Sequence, residues 1–123
     1  MDIVMNIIQG LVGLAMLAAG GMKTMQAKDQ LIANSMDWAE DFSDNQVKLI
    51  GVAELLAGIA LVLSIFITSP TALLLGGIAA ICLAVLMGGA AYTHIRRGDG
   101  IGGMAPSIVI GILSLIVAWS LLV

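Results

Sequence analysis

Charge is scarce in this sequence: 11% of its 123 residues are Asp, Glu, Lys or Arg, where soluble domains carry about 25%. A chain so poor in charge cannot cover a soluble surface. With 60% hydrophobic residues and a mean hydropathy of +1.10, it reads as an integral membrane protein. Cysteine is nearly absent as well. Cys82 stands alone in an apolar stretch, which excludes dithiol chemistry within the chain and a cysteine-based zinc site. It is expected to be a small buried hydrophobe. His94 is the only histidine, so no pair of imidazoles can hold a haem between helices. No basic cluster offers a grip on nucleic acid, and the net charge of −3 comes mostly from one connecting segment. The start, Met1-Asp2-Ile3, lacks the positive region of a signal peptide, so the first apolar stretch is expected to remain as a span.

What is present in quantity is long hydrophobic runs. They cover 3–21, 47–67, 71–92 and 105–123, each close to the roughly 20 residues that a helix needs to cross a bilayer. None shows the strict alternation of barrel strands. The expected fold is all-α: an integral membrane four-helix bundle forming a single transmembrane domain over 1–123. Ser69-Pro70 makes a tight turn between the second and third helices. Arg96 to Gly103 forms a polar, glycine-rich link.

The first connection has a different pattern. On a helical wheel Leu31, Ile32, Met36, Trp38, Ala39 and Phe42 share one arc, and Asp37, Glu40, Asp41 and Asp44 the other. This predicts an amphipathic interfacial helix over about 30–42, with Trp38 as its anchor. Its acidic face suits capping the bundle, or receiving a basic partner, better than gripping anionic lipid. All five basic residues, Lys23, Lys28, Lys48, Arg96 and Arg97, fall on or beside the connections 22–46 and 93–104. The positive-inside rule makes those connections cytoplasmic and puts both termini outside.

Helices in lipid pack through small residues rather than through hydrophobic drive. The third run places Gly76, Ala80, Ala84 and Gly88 at intervals of four, which predicts a packing stripe toward another helix or a second copy. Glu54 is the anomaly. It lies within an apolar run, where a charge at mid-bilayer depth costs about 2.5 to 3.5 kcal/mol. Gly51 and Gly58 flank it on the same helix face, so the carboxylate is expected to face the bundle. Topology brings Lys23 and His94 to the same end, and either could supply the counter-charge. An intramembrane acid points to a ligand, ion or proton site, or to a structural clamp between helices.

Gly20-x-x-Lys23, Trp38, Lys48-Leu-Ile-Gly51-x-x-Glu54-Leu and Gly88-x-Ala90-x-x-x-His94 followed by two arginines together resemble the DoxX-like family of small four-helix membrane proteins. The resemblance runs collinearly through the first three helices. It implies a bacterial or archaeal cytoplasmic membrane protein, in a family whose named members are linked to quinone-coupled thiosulfate oxidation and oxidative-stress assemblies. The expected site is a cytoplasmic-side pocket lined by Lys23, Glu54, His94, Trp38 and Tyr92. It would bind a small amphipathic ligand such as a quinone, lipid or isoprenoid, with no covalent cofactor. Such a protein would not be catalytic alone, since an electron donor must come from a partner. Two other functions remain open: an accessory subunit of a larger membrane complex, and a small proton-coupled transporter using Glu54.

Overall fold

The computed structural model describes residues 3–33 and 36–123. Among them there are helices and turns but no strand. The helices are α1 (Ile3–Met25), α2 (Lys28–Ala33), α3 (Asp44–Phe66), α4 (Pro70–Arg97) and α5 (Gly100–Leu122), with a short 3-10 turn at Asp37–Asp41. Of these, α1, α3, α4 and α5 are long and apolar enough to cross a membrane.

Local chemistry sets their ends. Ser43 and Gln46 form a reciprocal cap at the start of α3: Ser43 Oγ accepts from the Gln46 amide at 3.2 Å, and Gln46 Oε1 accepts from the Ser43 amide at 2.9 Å. This starts the helix ahead of its apolar run, at Asp44 rather than 47. Ser69 caps α4 with Pro70 in its first turn. At the other end Gly98 turns left-handed at φ 71°, and its amide bonds back to Ile95 at 3.1 Å. Hence α4 continues through His94, Arg96 and Arg97 rather than stopping at 92, and the polar link shrinks to Gly98 and Asp99. α1 likewise extends beyond 21 to Met25. Hydropathy marks where lipid ends, which is not where helical hydrogen bonding ends.

The amphipathic segment is not one helix. It divides into α2 and the 3-10 turn, and Met36 at φ −93°, ψ 58° lies outside helical geometry. Asn34 and Ser35 lie outside the described residues. The two faces still separate as the wheel requires. Leu31 and Ala39 are fully buried with Val47, and Ile32, Met36, Trp38 and Phe42 pack around them. Asp37, Glu40, Asp41 and Asp44 are exposed. The segment caps one end of the bundle.

The spanning helices associate as two pairs, α1 with α3 and α4 with α5; α3 meets α4 less extensively and α1 meets α5 more thinly still. The first pair closes backbone to backbone. A Cβ on Gly20 would stand 2.6 Å from the Gly51 carbonyl oxygen, and one on Gly58 would stand 2.8 Å from that of Gly13. No side chain fits there. Between pairs, Gly76 meets Ser64, and a Cβ on it would lie 2.6 Å from the hydroxyl. The common core contains Met16, Leu61, Ala80, Leu83, Met87 and Val117, while Ile7, Leu14, Leu56, Val85 and Leu115 point outward to lipid.

The predicted stripe on α4 is only partly an interface. Gly76 and Ala80 are buried, Ala84 is half-buried, and Gly88 is exposed, where an added Cβ would meet nothing within 4 Å. A repeat of four turns about 40° further at each step on a helix of 3.6 residues per turn, so by Gly88 it has left the contact. The buried line instead runs Gly76, Ala80, Leu83, Met87. Cys82 is also exposed rather than buried, because it sits on the opposite side of α4 from Ala80.

Candidate functional site

Glu54 does face the bundle. It is 1% exposed, and its Oε1 accepts a hydrogen bond from Lys23 Nζ at 2.5 Å. The glycine crossing explains the pairing. Gly20 lies against Gly51, and each charged residue follows its glycine by three positions on antiparallel helices, so Lys23 sits about 4.5 Å toward the capped end and Glu54 about 4.5 Å away from it. The lysine stem spans the difference by pointing inward instead of out to water. Gly51 makes room for that stem, since a Cβ there would lie 2.8 Å from Lys23 Cβ.

Trp38 stacks over the same ammonium, with Nζ 5.3 Å from the ring centroid, and meets Phe42 edge to face at 5.7 Å. These two aromatics roof a cavity of about 170 Å³ whose walls include Met16, Ala19, Glu54, Met87, Ala90, His94 and Pro106. Three of the expected residues, Lys23, Glu54 and Trp38, are thus in contact as one cluster, and His94 joins them on the cavity wall.

His94 is not the counter-charge of Glu54. Its Nδ1 lies 2.7 Å from Asp99 Oδ2, on the turn after α4. That hydrogen bond is the largest influence holding the Asp99 carboxyl below the usual carboxylate range; a smaller desolvation effect opposes it and the Arg97 charge assists it. Arg97 continues the chain of contacts, with Nε 3.4 Å from Asp99 Oδ2 and Nη1 3.1 Å from Asp41 Oδ1 of the cap. Tyr92 is elsewhere. It is 61% exposed, stands beside the Arg96 guanidinium at 5.9 Å, and lines no part of the cavity.

Sequence reasoning passed over Asp99, Arg97 and Gln9. Asp99 follows His94 by five residues, a separation that joins two side chains only because Gly98 reverses the chain. Gln9 is fully buried in α1, and its Nε2 donates to Leu61 O and Ser64 Oγ, both at 2.7 Å. An amide among apolar neighbours was its signal. Among the described residues no three His, Cys, Asp or Glu side chains group as metal ligands.

Four membrane-length helices that together line a capped, partly open cavity with a buried acid–amine pair define a helical membrane protein with a polar site between its helices. A family model described as the DoxX-like family matches residues 7–117, and the chain belongs to that family. No curated protein and no solved structure matches it.

Proposed function

We propose that the chain binds a small amphipathic molecule, a quinone, lipid or isoprenoid, in the capped cavity, and serves a membrane redox process through that ligand. The observation that carries this reading is the cavity itself: apolar walls around a few convergent polar groups, the usual form of a small-molecule site. A volume of about 170 Å³ matches a single ring, since a benzene-sized guest occupies a cavity of about 150 Å³. The head group would enter and the apolar tail would lie in lipid. The basic residues of the connections at the capped end support a cytoplasmic-side cavity in this reading, in a bacterial or archaeal membrane. Electrons would come from a partner chain.

Native mass spectrometry of gently solubilised protein tests this, with wild type beside Ala90→Leu, which fills the cavity but leaves the Lys23–Glu54 pair. A stoichiometric small molecule on the wild type that is lost from the variant is expected. A wild-type chain that carries no small molecule but travels with another protein would instead favour an accessory subunit.

A further inference from the structure

The polar atoms around the cavity are unequally satisfied. Lys23 gives one N–H to Glu54 Oε1, and Glu54 Oε2 has no partner among the described residues although Glu54 lines the cavity. His94 also lines it. Its Nδ1 faces a carboxylate oxygen at 2.7 Å; a carboxylate can only accept, so Nδ1 carries the hydrogen. In the neutral ring Nε2 is then a lone pair. Arg97, on the same Asp99 oxygen, keeps that carboxylate in place. The cavity therefore presents two open acceptors, Glu54 Oε2 and His94 Nε2, beside one ammonium with hydrogens to spare.

A hydroxyl answers both needs, accepting from Lys23 while donating to Glu54 or His94. A ketone or ether oxygen only accepts, and once it has displaced water from the cavity it leaves the two acceptors facing a lone pair. We propose that the cavity selects a neutral, ring-sized head bearing a hydroxyl, a phenol or cyclic alcohol, so that a quinone would be held in its reduced, quinol form, and that Asp99 is the positioning residue that presents His94 Nε2 to it. This rests on the cavity being a ligand site.

The test uses the full chain in nanodiscs at pH 8, titrated with 4-methylphenol, 4-methylanisole and cyclohexanone, with partition into empty nanodiscs subtracted. Because His94 is the sole histidine, a sample labelled with ¹⁵N in the imidazole gives one site's signals directly. The expected results are a proton on Nδ1 in the free protein, a shift of the Nε2 resonance on adding the phenol, and binding of the phenol at least about tenfold tighter than the other two. Asp99→Asn, whose amide can donate to Nδ1 and so admits the opposite tautomer, should narrow that ratio while leaving the anisole affinity unchanged. Equal binding of all three probes overturns the hydroxyl selection but leaves the ligand site standing. Binding of none overturns the ligand site too. A proton found on Nε2 in the free wild type, or an Asp99→Asn variant that weakens all probes alike, overturns the role given to Asp99.

Discussion

Removing Lys23 should harm this protein more than removing Glu54. At 2.5 Å, Coulomb's law with an effective dielectric of about 20 gives an attraction of about 7 kcal/mol, and desolvation of the two ions offsets much of it. The pair's net worth is therefore small, but an orphaned member is expensive. Lys23→Met leaves a carboxylate 1% exposed with no other cation bonded to it among the described residues, and the expected loss is about 3 to 5 kcal/mol. Glu54→Leu leaves an amine two residues from the end of α1, where the long stem can swing out to water, so about 1 to 2 kcal/mol is expected from lost packing and contact. The double variant should lie closer to wild type than Lys23→Met does, because no charge is stranded. Reversible unfolding in mixed micelles, followed by circular dichroism, measures all three. If Glu54→Leu costs as much as Lys23→Met, or if the double variant equals the sum of the singles, Lys23 is not what makes the buried acid tolerable.

Glycine substitutions separate contact from composition. Gly20→Ala forces a methyl to 2.6 Å from the Gly51 carbonyl oxygen and should cost about 1 to 3 kcal/mol, whereas Gly88→Ala meets nothing within 4 Å and should change stability by less than about 0.5 kcal/mol; the same unfolding measurement compares them. The turn between α4 and α5 should respond to acid. Because Asp99 is held below its ordinary value, near 3.9, its contribution is fully present above that value and is lost as pH falls through the lower folded one. Amide chemical shifts of Gly98 to Gly103 should therefore begin to move below about pH 4, and Asp99→Asn should abolish that transition.

The spans and the inward-facing acid were legible in the sequence because both rest on one-dimensional signals: runs of apolar residues, and two glycines bracketing Glu54 on one helix face. Depth was legible too, and it brought Lys23, Glu54 and His94 to one end. Azimuth was not. Which cation meets Glu54 depends on how α1 rotates against α3, and that rotation is fixed by Gly20 lying on Gly51, a long-range contact no local pattern reveals. His94 turns to Asp99 because Gly98 takes a left-handed conformation that folds the next residue back. Tyr92 illustrates the same gap: two residues from His94, it is rotated about 200° around the helix and faces out. The Gly88 end of the stripe departs for a related reason, since a spacing of four looks like one face over a single turn and drifts off it over three.

The polar bonds between helices sort by pair. Gln9 with Leu61 and Ser64, Lys23 with Glu54, and Lys48 with Thr24 all join α1 to α3, while His94 and Asp99 belong to α4 and the turn before α5. The cavity lies where the two pairs face each other, taking its acid and amine from one and its imidazole from the other. At that end the cap spans the division, with Trp38 over Lys23 on one side and Asp41 bonded to Arg97 on the other. Arg97 also touches the carboxylate that orients His94, so the position of the cap and the orientation of the cavity's imidazole share one guanidinium. A molecule seated in the cavity would touch both pairs and the roof at once. Its binding energy would then act across the division where the helices hold each other through packing rather than through the buried charge pair.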